Sequence, residues 1–282
     1  MTEENNKITD EKEQFESNVD TAKQFFGVGI IGTNTTAKTL EYAFTKPRNQ
    51  ILVVDNVNKH IEDLVEWGPN IVFVCTEVNI DADGLVEASQ LESDVVRVLS
   101  STHAGVVIKT TLSVDLVDRI CRRNARIVYN PDVPTETNHI EEKLQIPFHI
   151  MGGAPNSTMA VQEIYYRFST FNISQSAHVS PVEAAFIESS ISSFITMKHV
   201  FYNQLYDVIQ EFGGDYHTVS TYIGSDPRVG GGCSRVPTPR KKRGCDRTGA
   251  NNSLKMLTRF NERFTLLKEA GKINDSYLNR EE

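Results

Sequence analysis

Between Arg235 and Arg247, an otherwise acidic chain gathers Arg235, Arg240, Lys241, Lys242, Arg243 and Arg247. Forked guanidinium groups match the oxygens of a diphosphate, so one reading of this run is an anion clamp. The other is a solvated loop, which is what most charge runs are. Cys245 stands between Arg243 and Arg247, with Cys233 upstream. Nearby cations lower a thiol's pKa and make it nucleophilic. Either cysteine is therefore a candidate nucleophile, against the alternative of an inert half-buried side chain.

A second place for chemistry lies near residue 30. Gly27-Val28-Gly29-Ile30-Ile31-Gly32 satisfies the glycine pattern of dinucleotide-binding loops, but the match misleads. Those glycines belong at the turn between strand and helix, where backbone N–H groups face a pyrophosphate. Val28–Ile31 reads as the apolar strand itself, so the loop is Gly32-Thr33-Asn34-Thr35-Thr36-Ala37. Gly32 serves the tight turn and Ala37 allows close packing of helix on strand. Asn34 stands at the second glycine position, where its side chain occupies space that phosphates would approach. Asp55, about twenty residues on, is placed to bond the adenosine ribose hydroxyls. The loop is either an NAD site or a fold relic in which Thr and Asn cap the next helix.

The elements that must position these residues follow a βαβ rhythm. Strands are expected at Val28–Ile31, Ile51–Val54, Ile71–Cys75, Val106–Ile108, Arg126–Tyr129 and Phe148–Met151, with helical patterns at Ala37–Phe44, Asp115–Arg123 and Met159–Phe168. The expected fold is a doubly wound, mostly parallel Rossmann-type sheet, followed by a long helix and a small helical domain. Residues 1–23 read as an acidic mobile tail, 24–180 as the NAD-binding-like domain, and 181–282 as a helical dimerisation and substrate-loop domain. The long helix starts at Pro181, since proline suits a first turn, and ends at Gly213-Gly214. Along it Ile187, Ile191, Phe194, Phe201, Leu205, Val208 and Phe212 recur at spacings of three, four and seven. That stripe argues for burial against a second subunit, the alternative being packing within its own domain. Leu254–Leu267 reads as a closing helix.

Composition narrows the function classes. A net charge of −8 disfavours a general nucleic-acid binder. No apolar run is long enough to span a bilayer, and Met1 leads into a polar acidic segment rather than an apolar leader. The four cysteines lack zinc-like spacing and suit a reducing cytoplasm.

Asp226-Pro227-Arg228-Val229-Gly230, Arg235-Val236-Pro237 and Lys242-Arg243-Gly244 together resemble the active-site loop of the UDP-glucose/GDP-mannose dehydrogenases. The resemblance runs from about Val28 to about Leu267, without the family's second nucleotide-binding domain, as in compact phage-encoded members. It implies NAD as cofactor, a nucleotide sugar as substrate, and a dimer through the long helix. Lys109-Thr110-Thr111 resembles the family's Lys-Ser-Thr, so Thr111 keeps the threonine that positions water. Asn130-Pro131-Asp132-Val133-Pro134-Thr135-Glu136 resembles Asn-Pro-Glu-Phe-Leu-x-Glu, with Asp132 and Glu136 as the two carboxylates. Lys198, Asn203, Arg228, Arg235 and Arg243 fall on substrate-contact segments.

Other positions depart from the family. The catalytic lysine falls on Glu188, the asparagine on Ser192, the cysteine nucleophile on Gly249 and the following aspartate on Ser253. A route through a thiohemiacetal and thioester needs a thiolate and a stabilised oxyanion. Gly249 has no side chain, and Glu188 would repel developing negative charge. The expectation is a catalytically silent relative acting as a decoy, sensor or structural component. The alternative is an NAD-dependent dehydrogenase with altered, two-electron chemistry, in which Thr111, Glu136 and Asp132 position water or accept a proton.

Overall fold

The computed structural model describes residues 25–55, 57–132, 139–146, 148–236 and 250–279. Its elements, in chain order, are β1 (Phe26–Ile31), α1 (Thr35–Phe44), β2 (Asn49–Val54), α2 (Val57–Trp67), β3 (Ile71–Val74), β4 (Asn79–Ile80), β5 (Val86–Glu87), α3 (Ser89–Ser101), β6 (Gly105–Ile108) and α4 (Val114–Cys121). There follow β7 (Ile127–Tyr129), α5 (Ile140–Leu144), β8 (Phe148–Gly153), α6 (Pro155–Phe168), β9 (Gln175–Val179), α7 (Pro181–Glu211), α8 (Tyr216–Ser225), α9 (Ala250–Phe260) and α10 (Thr265–Leu278).

Two compact units divide the chain, one holding residues up to Glu188 except Ile80–Leu85, the other holding Ile80–Leu85 and everything from Ser189. In the first, seven strands run in the order β2-β1-β3-β6-β7-β8-β9. Neighbours are parallel except β7 and β8, which pair antiparallel through Val128↔Gly153 and Tyr129↔Gly152. β1 pairs with β2 on one side and β3 on the other, with Val28 opposite both Ile51 and Ile71. Successive strands thus leave β1 in opposite directions, which opens a crevice at its carboxyl end. The doubly wound, mostly parallel sheet expected from the sequence is present.

Burial on both faces explains why β3 and β6 carry no polar residue and every one of their residues is buried. The α1 face made by Ala37, Leu40, Ala43 and Phe44 packs into a core with Ile30, Phe73 and Tyr165. Phe44, Phe73 and Tyr165 form a tilted aromatic trio with centroids 5.3–5.9 Å apart. Burying each such side chain contributes roughly 1.5–3 kcal/mol. β9 was not expected from the sequence; its burial pattern is mostly intermediate or exposed, so it lacks the apolar run that marked the others. Gly152 lets the start of α7 approach β8, since a Cβ there would lie 2.5 Å from that of Ala184.

The long helix begins at Pro181 as expected. Ser180 and Glu183 cap it reciprocally: the Glu183 N–H donates to Ser180 Oγ at 3.3 Å, and the Ser180 N–H donates to the Glu183 carboxylate at 2.8 Å. It stops where Gly213 takes φ +70° and the Gly214 N–H returns to the Ile209 carbonyl. In the second unit, Tyr277 donates to Asp207 at 2.8 Å, joining α10 to α7. The closing segment differs from expectation: it is two helices rather than one. The Asn261 side chain accepts the Arg263 N–H at 2.9 Å, which turns the chain between α9 and α10.

Candidate functional site

The β1–α1 turn is built as a dinucleotide loop would be, with one exception. Gly32 has φ +115°, and a Cβ on it would lie 2.9 Å from the Cys75 carbonyl oxygen. Only glycine meets both demands. Asn34 is the N-cap of α1, and its Oδ1 accepts the Ala37 N–H at 3.0 Å. Its Nδ2 donates to the Cys75 carbonyl at 2.8 Å, at the end of β3. One side chain therefore satisfies a helix N-terminal donor and staples the turn across the β1–β3 crevice. Asp55 follows β2 with its side chain 65% exposed, 3.4 Å from the His60 imidazole. Its carboxylate stays open to a ribose-type diol.

Beside this turn lies a buried polar network for which the sequence offered only fragments. Lys109, just after β6, contacts Asp132 at 2.8 Å and Asn130 at 3.1 Å. Thr36 in the first turn of α1 donates to Asp132 at 2.7 Å, and Lys143 stands 3.5 Å from the same carboxylate. Tyr165 donates to Asn130 Oδ1 at 2.8 Å, and Asn130 Nδ2 donates to the Ile150 carbonyl at 2.8 Å. Burial pushes the Asp132 carboxyl up, but Lys109 and Lys143 outweigh it and hold the group down at about 2. Burial, the largest single effect, acts to lower Lys109, but Asp132 together with Tyr165 and Cys75 outweighs it, so the ammonium is raised above its ordinary value. Asp132 is thus a fixed anion rather than a ready proton acceptor near neutral pH.

His149 adjoins the network. Burial, then the Lys109 charge, lower its imidazole to about 4 against the pull of the Asn172 carbonyl 3.1 Å away. The cavity that Thr36, Lys109, Asp132, Lys143 and His149 help to line is about 20 Å3. That is space on the scale of one water, not of a nucleotide. Lys109, Lys143, Asn130 and Tyr165 were not singled out as partners because they lie after β6, in α5, after β7 and in α6, and residues so far apart in sequence meet only in the fold.

Thr111 is half-buried in the loop after β6. Its neighbours are tied down: Thr110 donates to the Thr76 carbonyl at 2.7 Å, Thr76 donates to the buried Asp94 at 2.6 Å, and the Leu112 N–H donates to the Tyr129 hydroxyl at 3.2 Å. Glu188 is 1% exposed. Burial first, and the Glu188 charge second, raise the Tyr129 hydroxyl well above its ordinary pKa. Cys75 is buried, and desolvation raises its thiol, so it is inert.

The remaining candidates belong to the second unit. Ser192 is fully buried, and its carbonyl accepts the Thr196 hydroxyl at 3.3 Å. Lys198 donates to the Val229 and Gly230 carbonyls at 2.9 and 3.4 Å, pinning that loop. Asn203 donates to the His199 carbonyl at 2.9 Å within the helix. Arg228 forms a two-pronged contact with Asp226 at 2.7 and 3.0 Å, and Arg235 is exposed. Ser253 is buried in α9. Glu136, Arg243, Cys245 and Gly249 lie outside the described residues, as do residues 1–23. Among the described residues, no cluster of His, Cys, Asp or Glu could hold a metal ion, and no helix is long and apolar enough to cross a membrane.

No family model and no curated protein matches this chain by sequence. Solved structures do match in fold. A UDP-D-ManNAc dehydrogenase from Pyrococcus horikoshii superposes with a TM-score of 0.66 at 15% identity, over 89% of this chain and 69% of that one. A UDP-glucose dehydrogenase from Pyrobaculum islandicum gives 0.65 at 15% identity, over 90% and 69%. A conserved protein of unknown function, described as structurally similar to 3-hydroxyacid dehydrogenases, gives 0.61 at 13% identity, over 89% of this chain and 96% of its own. At these identities the likeness is one of fold: this chain has the Rossmann-type architecture that nucleotide-sugar dehydrogenases share.

Proposed function

We propose that this chain is a non-oxidising relative of the nucleotide-sugar dehydrogenases, a scaffold that binds a nucleotide or a protein partner without performing the four-electron oxidation. Asn34 carries the reading. Its side chain takes up the Ala37 N–H and bonds the Cys75 carbonyl, using for the protein itself a donor and the space that a diphosphate would need. Gly32 and Asp55 fit the turn and ribose contacts of NAD; Asn34 does not fit its diphosphate, so no hydride step is assigned.

Three further observations support it. Glu188 is a buried carboxylate where the family resemblance expects a cation, Ser192 replaces an amide donor, and Asp132 is held by Lys109 and Lys143. Removing a single oxyanion donor costs on the order of 10²–10³ in rate. With the sequence placing Gly249 at the nucleophile, the losses compound.

The reading includes a homodimer through α7. Phe194, Phe201, Val208 and Phe212 are 50–84% exposed, and they continue a stripe from Ile187 at heptad-like spacing.

The test is NADH absorbance with NAD⁺ and UDP-glucose, UDP-glucuronate or GDP-mannose, alongside thermal shifts with each ligand. A ligand at about a hundred times its Kd adds roughly 2.7 kcal/mol, so binding is visible without turnover. The expected result is no NADH with any of them. Turnover of UDP-glucose that Cys245→Ala abolishes would overturn the proposal.

A second reading is favoured by Gly32 and Asp55, which remain suited to a dinucleotide, and by the likeness to a protein described as 3-hydroxyacid-dehydrogenase-like. A two-electron oxidation of a hydroxyl group needs no cysteine, only a base and a hydride acceptor. NADH formation with a nucleotide sugar or small hydroxy acid, unaffected by Cys245→Ala, would select this reading.

A further inference from the structure

In the second unit, the loop after α8 holds Cys233 at φ +70°, alone among the described non-glycine residues in having positive φ. Such backbone strain persists only where the surroundings enforce it. Here they do so on both sides. Lys198 grips the Val229 and Gly230 carbonyls, Ser234 Oγ donates to the Gly231 carbonyl at 2.8 Å, and Tyr216 donates to the Ser234 carbonyl at 2.7 Å.

The side chain so placed is a thiol outside any disulfide, half-buried, and packed on the cluster of Tyr202, Tyr216 and Val236. Strain alone makes no site, but the cluster holds a second observation. Tyr202 is fully buried, and among the described residues no hydrogen-bond partner meets its hydroxyl. Buried hydroxyls without partners are uncommon and call for an explanation. Burial first, and negative charge at Cys233 second, raise that hydroxyl's pKa, so it keeps its proton and stays a donor within the cluster on which Cys233 packs. A cation is also near: the Lys198 ammonium lies 3.8 Å from where a Cβ on Gly232 would sit, one residue from the thiol. Positive charge and partial exposure are the setting of oxidisable cysteines.

We propose that Cys233 is a peroxide-reactive modification site whose sulfenic acid is stabilised by a hydrogen bond from the buried Tyr202 hydroxyl. The thiolate sulfur attacks one peroxide oxygen. An S–O bond forms, the O–O bond breaks, and the sulfur is oxidised by two electrons. The departing hydroxide takes a proton and leaves as water. The added oxygen gives the Tyr202 hydroxyl the acceptor it lacks.

The experiment treats the full reduced chain, in a Cys245→Ser background so that this second thiol cannot consume the product, with hydrogen peroxide and then dimedone. Peptide mapping by mass spectrometry locates the adduct. The expected label is on Cys233 ahead of the buried Cys75 and Cys121. Tyr202→Phe should lower its yield on the order of tenfold, the worth of about one hydrogen bond, while leaving the thermal midpoint of the reduced protein unchanged or higher. The proposal is overturned if Cys233 labels only after denaturation, or if Tyr202→Phe labels at the wild-type rate.

Discussion

Asn34 braces the β1–α1 turn internally, and replacing it with glycine separates that role from the diphosphate exclusion proposed for it. The variant loses a helix cap and the bond to the Cys75 carbonyl, together about 1 kcal/mol, measurable by urea denaturation. It also frees the Ala37 N–H, so calorimetric titration should show NAD⁺ binding tighter than to the wild type; no gain would mean that Asn34 is not what opposes the diphosphate. Lys109→Met leaves Asp132 in a largely buried site with Lys143 as its remaining cationic contact. Removing one partner of a buried pair is strongly destabilising, and the partial exposure of Asp132 places the expected loss at about 2–3 kcal/mol, read in the same denaturation series. The departure at Asn34 was legible in the sequence because the strand before it and the expected acid after it fix where the turn must fall. The Lys109 network was not: Thr36, Lys109, Asp132, Lys143 and Tyr165 come from five separate segments, and no spacing along the chain records that they meet.

At the scale of elements, the strands with unbroken apolar runs were readable because a parallel strand buried on both faces has no polar positions to obscure it. β9 was missed for the converse reason, and the α9–α10 break was missed because it rests on one Asn side chain turning the backbone. The α7 stripe was legible as periodicity, but the structure adds which part of it stays uncovered within one chain. Phe201 is 50% exposed near the middle of that stripe. Phe201→Glu should therefore convert a dimer to a monomer in light scattering coupled to gel filtration, with the helical content in circular dichroism retained. A wild-type chain that is already monomeric at micromolar concentration would remove the dimer from the proposal.

Across the whole molecule, stability should fall in acid through groups that the fold itself has shifted. His149 is neutral in the folded state down to about pH 4, whereas in the unfolded chain it takes up a proton near pH 6.5. The unfolded state binds more protons between those values, so stability rises with pH there and is lost as pH falls; the full shift corresponds to about 3 kcal/mol. Asp132, held at about 2, extends the loss below the ordinary carboxylate range by the same sign. Urea midpoints measured from pH 7 to pH 4 should fall, and His149→Phe should flatten that slope. What the sequence by itself determined here was the alternation of strands and helices, the place of the Gly32 turn, the start of the long helix, and the absence of a side chain at Gly249, because these depend on local backbone preference, hydrophobic period and residue identity. What only the tertiary structure decided was the company each polar group keeps. Asn34 is joined to Cys75, Asp132 is locked between two lysines, and Cys233 is strained over Tyr202, because burial and electrostatic pairing act through space between segments the chain leaves far apart.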